Sequence, residues 1–445
     1  MNDKDYQRAV FPKLKKAFGK SNWVLGSGTE LIRLGWQPDD LMVIVESIKK
    51  LEWFTKELNL EVYLPIFGYG GESVLFAKDA EISLSNPSYL YHNVGSQLHF
   101  FRKHISPVIL YETDLLEKHG VAHMIDLTPS GWHVLFRVRK GTNAFNRIAS
   151  IGHLEEDLKE KYKKTDFQDL KRNPAPGVDA GLVFSGMGRL KEYMAFKALV
   201  HAERYEDIPI TISDSEEKCV NEDITDTGDP GYMRIMRSPF SLHKKRRRYI
   251  TGSHSLQDII MRVYNGKGDS TNNVFIEDMD YLLNCMWNKE MAVEHSISFS
   301  GEVPEPDDES INSFVDEYES SELFTFHQNF DARPRLEDWE AFIRAKYDKR
   351  LDSKTHNFVK YPCPRALEPP ALQKFVGDLL ENGWHPKDIG CLIDDFYHLK
   401  FDNDMKEVDW GALDNEHKYS KITRANFWAR TYSVVHMLKE KEISL

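Results

Sequence analysis

The chain has 445 residues and a formal net charge of -12, with 41% hydrophobic and 29% charged residues, as in a globular protein of two or three domains. No stretch approaches the roughly 18 apolar residues of a membrane span, and the N-terminus lacks the apolar core of a signal peptide. We therefore expect a cytoplasmic protein without a membrane partner. The cysteines are too far apart in sequence to suggest a zinc knuckle or a disulfide framework: Cys219, Cys285, Cys363 and Cys391.

Charge is distributed unevenly along the chain. Nine acidic residues and no basic one lie between Glu302 and Glu322, whereas the segment SLHKKRRRYI, residues 241–250, carries five consecutive cations. Clustered Lys and Arg drive the binding of phosphates, so the overall acidity leaves a local nucleic-acid site open.

Hydrophobic periodicity divides the chain into five segments. They are a helical lead-in at 1–60, a mixed α+β domain at 61–255, a helical connector at 256–300, a solvated acidic linker at 301–334 and an all-helical domain at 335–445. In the lead-in, a helix is expected over Asp39–Leu58. In the mixed domain, strands are expected at SVLFAKDAEISL and GVDAGLVFS, and a hairpin at VAHMIDL and HVLFRVRKG around the turn TPSG.

The first chemical motif is VLFAKDAEI, which ends in Asp79 and Glu81. Residues i and i+2 of a strand point to the same face, so both carboxylates would project side by side. Such oxygen ligands suit Mg²⁺ or Mn²⁺ with substrate phosphates completing the shell. An exposed strand end with two solvated acids is the alternative. A second pair, Glu112 and Asp114, also follows an apolar run and competes for the metal role.

The second motif is the turn TPSG with the strand that follows it. His133 and Arg137 would share one face of that strand and can donate hydrogen bonds to phosphate oxygens. A partly buried histidine that caps the turn is the alternative. A third motif, PGVDAGLVF, places Asp179 at a predicted strand edge, where it would complete a three-carboxylate metal site or simply form a turn.

The fourth motif is MRIMRSPFSLHKKRRRY, residues 233–249, in which Pro239 interrupts any continuous helix. Its interleaved apolar and basic residues favour contact with a triphosphate or a nucleic-acid backbone over a merely solvated loop. The candidate donors are Arg237, Ser241, His243, Lys244, Lys245, Arg246, Arg247 and Arg248.

In this order, the motifs resemble the archaeo-eukaryotic primase superfamily, in particular its primase-polymerases. That family has an acidic pair on a strand, a small-residue turn with a histidine before the next strand, and a lone aspartate near a further strand. Asp79 with Glu81, SGWH with His133, and Asp179 match these features. RIMRSPFSLHKK is similar to the family segment R-x-P-x-S-x-H-x-K, and the C-terminal YPCPRALEPPALQKFVGDLLENGWHPKDIGCLI is similar to its helical accessory domains.

The resemblance implies a primase-like mixed-sheet catalytic domain followed by a helical accessory domain, and a DNA-dependent primase-polymerase. Asp79, Glu81 and Asp179 would bind the catalytic ions, with His133 as a fourth catalytic residue. NTPs or dNTPs would contact Ser130, His133, Arg137, Arg237, Ser241, His243 and Lys245. Lys244, Arg246, Arg247 and Arg248 would hold the single-stranded DNA template, and a separate helicase would unwind it because the chain has no P-loop motif.

Two other functions stay open at this point. One is a non-catalytic nucleic-acid-binding replication or defence protein that keeps the fold without its metal chemistry. The other is a metal-dependent nuclease, since phosphodiester hydrolysis needs a similar carboxylate site.

Overall fold

The computed structural model describes most of the chain and divides it into two compact units. The first comprises Met1–Thr211 and Glu216–Asp316, and the second comprises Ile212–Ser215 and Glu317–Leu445. The described residues are 1–17, 24–26, 43–45, 47–59, 61–83, 98–163, 175–204, 208, 210–212, 219–224, 235–242, 261–264, 278–299, 301–346, 351–361, 364–397 and 415–445.

The described strands form two sheets. They are β1 Val24–Gly26, β2 Val43–Val45, β3 Val62–Pro65, β4 Ser73–Ser83, β5 Met124–Thr128, β6 Gly131–Arg139, β7 Ile210–Ile212, β8 Cys219–Asp223, β9 Ile235–Arg237 and β10 Met261–Tyr264. A four-stranded sheet has the order β2-β1-β3-β9, and a six-stranded sheet has the order β10-β5-β6-β4-β8-β7. The β5–β6 hairpin and the β4 strand are present as the sequence predicts.

Helices account for most of the remaining described chain. They are α1 Asp3–Ala17, α2 Ile48–Lys56, α3 Ser106–Lys118, α4 Asn143–Ser150, α5 Glu156–Lys163, α6 Val178–Ala202, α7 Met279–Trp287, α8 Lys289–Ile297, α9 Asp308–Glu319, α10 Glu322–Ala332, α11 Trp339–Lys346, α12 Ser353–Lys360, α13 Pro369–Glu381, α14 Pro386–Cys391 and α15 Asn415–Lys439. The chain is therefore mixed α+β, as expected.

The centre of the six-stranded sheet is the antiparallel pair β4–β6, in register from Ser73 opposite Arg139 to Glu81 opposite Gly131. Even-numbered β4 residues face the helices: Phe76 stacks on Phe136 with 4.3 Å between ring centroids, and the ammonium of a lysine of α6 lies 5.8 Å from the Phe76 ring. Odd-numbered residues therefore project from the opposite face. This alternation separates the helix-covered face from the face that carries Asp79.

Several predictions in the first unit are wrong. The lead-in expected to be helical contains β1 and β2, and the connector expected to be helical contains β10, which pairs with β5. GVDAGLVFS begins the 25-residue helix α6, not a strand. A β-carbon on Gly186 would lie 2.1 Å from the carbonyl oxygen of Ile148 in α4, so the glycines of this segment allow close helix packing. The single helix expected over Asp39–Leu58 is also wrong, because residues 43–45 form β2 and, among the described residues of that range, helix α2 begins at Ile48.

The segment 301–334 also differs from the solvated linker expected there, because it contains α9 and α10. Ile311, Phe314, Val315 and Tyr318 have the i, i+3, i+4, i+7 spacing of a helix face and are fully buried. The acidic residues lie between them, so composition masked an amphipathic helix.

The start of this segment pairs with the first unit through defined contacts. The Arg137 backbone nitrogen donates to the Pro304 carbonyl at 2.9 Å, and the Arg139 guanidinium binds both carboxylate oxygens of Glu305. Asp308 Oδ1 accepts from the Ala144 nitrogen at the start of α4 at 2.7 Å. Residues 301–308 are thus part of the first unit's fold.

The second unit is helical in its described part beyond residue 317, as predicted for the C-terminal region. Its core is apolar and includes Leu372, Phe375, Val376, Ile389 and Leu392. Across the described residues of the whole chain, no helix is both long and apolar enough to cross a membrane.

Candidate functional site

Four polar residues form a single row across the six-stranded sheet. Asp79 of β4 is paired with His133 of β6 on one side and with Asp223 of β8 on the other, and His133 is paired with Asp126 of β5. Directly opposite residues of antiparallel strands project from the same face, with β-carbons about 4.5–5.5 Å apart. Three carboxylates and one imidazole therefore share one line of this sheet.

Asp79 is the accessible member of a close pair in this row. Its Oδ1 atom lies 3.5 Å from Nε2 of His133, and its side chain is 38% exposed against 6% for the histidine. Glu81 lies two residues further along β4, on the same face, opposite Gly131 and Asn221. Asp79 and Glu81 therefore lie side by side on one face of β4, as inferred from the sequence.

His133 is neutral at physiological pH. Burial, and secondarily the positive charge of Arg237, lower its pKa to about 3. Its Nδ1 atom is buried without a hydrogen-bond partner among the described residues. A neutral imidazole contacts Asp79 through Nε2 without neutralising the charge of that carboxylate.

Arg237 approaches this row from the four-stranded sheet. It ends β9, opposite Tyr63 of β3, and its charge acts on both Asp79 and His133. Its Nε donates to Oε1 of the buried Glu61 at 3.3 Å, and its guanidinium lies 5.0 Å from the Tyr63 ring centroid. A partly exposed cation therefore lies near the carboxylates, held by an acid and an aromatic ring.

Asp179 does not join this cluster. It is exposed in the first turn of α6, and its Oδ2 atom lies 3.2 Å from Nζ of Lys140, just beyond β6. The backbone nitrogen of Lys140 donates to the Glu72 carbonyl, immediately before β4. Six residues of strand, about 20 Å, separate that end of β4 from Asp79. Asp179 is therefore too far from Asp79 to share a metal ion with it.

Asp223 is the third carboxylate beside Asp79 and Glu81, in the place expected for Asp179 from the sequence. It lies in the acidic segment SDSEEKCVNEDITDTGD, residues 213–229, of which residues 219–223 form β8 next to β4. The signal in the sequence was the short run CVNED, in which Cys219, Val220 and Glu222 are buried. Asp126 reaches the site by strand pairing with His133, and Glu61 by its hydrogen bond with Arg237, so no local sequence pattern indicates either residue.

Ser130 and Arg137, two of the predicted nucleotide ligands, lie in positions that constrain their roles. Ser130 is in the β5–β6 turn near Glu81, and its carbonyl accepts from the Ile82 nitrogen at 2.6 Å. Arg137 is opposite Leu75, four residues from His133, and burial lowers its pKa to about 10 against the opposing effect of Glu305. Arg137 therefore remains charged, and the charged groups that act on it are Glu305, Arg139 and Glu72.

Ser241 is committed to the fold. Its hydroxyl oxygen accepts from the Val62 backbone nitrogen at 2.7 Å, and the side chain is fully buried. The remaining predicted phosphate ligands lie outside the described residues: His243, Lys244, Lys245, Arg246, Arg247 and Arg248.

The competing acidic pair is not a metal pair. Glu112 and Asp114 lie on α3, not on a strand, and a two-residue step on a helix points them in different directions: Glu112 is buried and Asp114 exposed. Glu112 instead pairs with Lys78 and accepts from Trp132 Nε1 at 2.7 Å. It belongs to the helix-covered side of the sheet.

The chemistry of this face of the sheet suits a hard divalent cation. Asp79, Glu81 and Asp223 offer carboxylate oxygens on one face, and Mg²⁺ commonly takes one or two carboxylates and leaves its other positions to water and substrate phosphates. Within the described ranges, no three His, Cys, Asp or Glu side chains are already arranged as a metal site. Substrate oxygens would have to complete the shell.

No family model, curated protein or solved structure matches this chain.

Proposed function

We propose that this protein is a primase-polymerase that makes or extends primers on a single-stranded DNA template by nucleotidyl transfer. The observation that carries the proposal is the row of Asp223, Asp79 and His133 facing the cation of Arg237. Carboxylates suited to Mg²⁺ or Mn²⁺ beside a guanidinium are the groups that a nucleoside triphosphate requires.

Each residue would contribute a separate interaction. Asp79, Glu81 and Asp223 would hold the divalent cation, which when bound activates the attacking hydroxyl and stabilises the leaving charge. Arg237 would bind phosphate oxygens, with Glu61 and the Tyr63 ring fixing its orientation. His133, neutral and buried, would position the Asp79 carboxylate through the contact of its Nε2 atom with Oδ1.

The decisive experiment compares de novo synthesis and primer extension on single-stranded DNA, with NTPs and dNTPs and either Mg²⁺ or Mn²⁺. Asp79→Asn removes a carboxylate charge with little change in shape, so we expect product formation to fall on the order of 100-fold or more. Asp223→Asn should behave alike.

Asp179→Asn is the matched control, because that side chain is exposed and paired with Lys140 at the far end of β4. It should retain wild-type synthesis. Full activity in Asp79→Asn, or reduced activity in Asp179→Asn alone, would contradict the site.

A non-catalytic nucleic-acid-binding protein of the same fold is the second candidate. It is favoured by the lack of a ready-formed three-ligand metal group within the described ranges. Single-stranded DNA binding without Mn²⁺ binding or synthesis would select it. Metal-dependent degradation of DNA without triphosphate-dependent synthesis would select a nuclease.

A further inference from the structure

A buried ionic network lies behind the row of site residues. Lys78, Glu112 and Glu222 have fully buried side chains, and the Lys78 ammonium binds both carboxylates. Trp132 Nε1 donates to Oε2 of Glu112 at 2.7 Å, and the Lys78 ammonium lies 5.8 Å from the Trp132 ring centroid. One helix residue, Glu112, thus binds groups from two strands, and Lys78 extends the network to a third.

The three strand members of the network are the sequence neighbours of three of the four row members. Lys78 precedes Asp79 on β4, Trp132 precedes His133 on β6, and Glu222 precedes Asp223 on β8. Adjacent strand residues project from opposite faces, so the network and the row lie back to back across one sheet.

This arrangement bears on the register of the strands. Sliding β8 by one residue against β4 would move Asp223 to the helix-covered face and bring Glu222 to the face of Asp79. Lys78 and Glu222 are diagonal neighbours, since Ala80 is directly opposite Glu222, and their ion pair can form only near the observed register. Apolar side chains at these positions would also be buried, but they would not favour one strand register over another through charge.

We propose that Lys78, Glu112 and Glu222 are positioning residues that hold β4, β6 and β8 in the register that places Asp79, His133 and Asp223 together. The inference rests on the proposed function only in assigning metal and nucleotide binding to the row; the effect on strand register does not depend on it. Buried ion pairs stabilise a fold weakly relative to well-packed apolar groups, and their best-attested use is to specify one pairing over others. The test must therefore separate the geometry of the row from overall stability.

The matched variants are Glu222→Gln and Glu222→Leu. Glutamine keeps an oxygen that can accept from Lys78, whereas leucine has a similar bulk and no acceptor. We expect Glu222→Gln to match the wild type. We expect Glu222→Leu to weaken Mn²⁺ binding, followed by electron paramagnetic resonance, and to lower kcat by about 10–100-fold, as for other groups that orient metal ligands. KM for the nucleotide should change little.

A folded Glu222→Leu protein with wild-type Mn²⁺ affinity and kcat would overturn the proposal. If that variant does not fold, the uncharged triple variant Lys78→Met, Glu112→Leu, Glu222→Leu is compared in the same assays, because it leaves no unpaired charge in the core.

Hydrogen exchange gives a readout independent of activity. Glu222→Leu should raise amide exchange in residues 219–223 relative to Glu222→Gln, and unchanged exchange would contradict the positioning role. If the wild type itself neither binds Mn²⁺ nor synthesises DNA, the proposed function fails, while the exchange comparison still decides the register.

Discussion

Ser241 shows how a polar side chain in a basic segment can serve the fold instead of a ligand. Its buried hydroxyl accepts from Val62 at the start of β3. Ser241→Ala would leave that amide without its acceptor, so we expect the free energy of unfolding to fall by about 1–3 kcal/mol. Urea denaturation measures this change. An unchanged unfolding free energy with a raised nucleotide KM would instead support a role in nucleotide binding.

His123 provides a residue-scale prediction of pH dependence. Burial lowers its pKa to about 4, against the opposing effect of its Nδ1 contact with the Val121 carbonyl at 2.7 Å. The unfolded state therefore binds the proton more readily, and stability present above about pH 6.5 is lost as the pH falls toward 4. At pH 5 the expected decrease is about 2 kcal/mol relative to pH 7.5.

His123→Asn should remove that part of the acid sensitivity, because asparagine can still donate near the position of Nδ1 but does not titrate. Urea denaturation at pH 7.5, 6 and 5 measures the difference between the two proteins. Parallel stability profiles for wild type and variant would contradict the assignment.

At the scale of elements, α9 is the clearest case of a pattern masked by composition. Phe314 is fully buried, with its ring 5.6 Å from that of His119 and 6.4 Å from that of Tyr193. Phe314→Ala should cost about 3–5 kcal/mol of stability, the usual range for a buried phenylalanine. Asn312→Ala, at an exposed position of the same helix, should change stability little. Equal effects in thermal unfolding would indicate that the segment is a solvated linker.

The strands and helices of the first unit were predictable to different degrees. β4, β5 and β6 combine β-branched and aromatic residues with a turn whose Gly131 has no room for a β-carbon, which would lie 1.8 Å from the Ala80 carbonyl oxygen. Helix α6 is buried over most of its surface, so its sequence has no polar stripe that reveals a 3.6-residue period. Its apolar, glycine-containing start therefore resembled a strand.

At the scale of the whole molecule, an acidic chain must bind a polyanion through a local cluster. The charge of -12 opposes nucleic acid, whereas the five cations at 244–248 attract it. Exchanging all five for glutamine should reduce the salt dependence of single-stranded DNA binding by up to about 3.5 in log–log slope, because each neutralised phosphate contributes about 0.7. Fluorescence anisotropy from low to moderate salt measures this slope.

The control for that experiment exchanges Lys15 and Lys16, which are exposed on α1. Their replacement should leave the slope nearly unchanged. An equal reduction in both proteins would indicate attraction by overall charge and not a binding segment.

The sequence by itself determined the mixed α+β class, the helical C-terminal region, the β5–β6 hairpin and the strand that carries Asp79 and Glu81. Each follows from local periodicity and turn chemistry. Only the tertiary structure decided that Asp223 lies beside Asp79, that Asp179 does not, and that Arg237 faces both Asp79 and His133. Strand pairing joins residues more than 100 positions apart, and that pairing is set by the packing of the sheet, which no local pattern encodes.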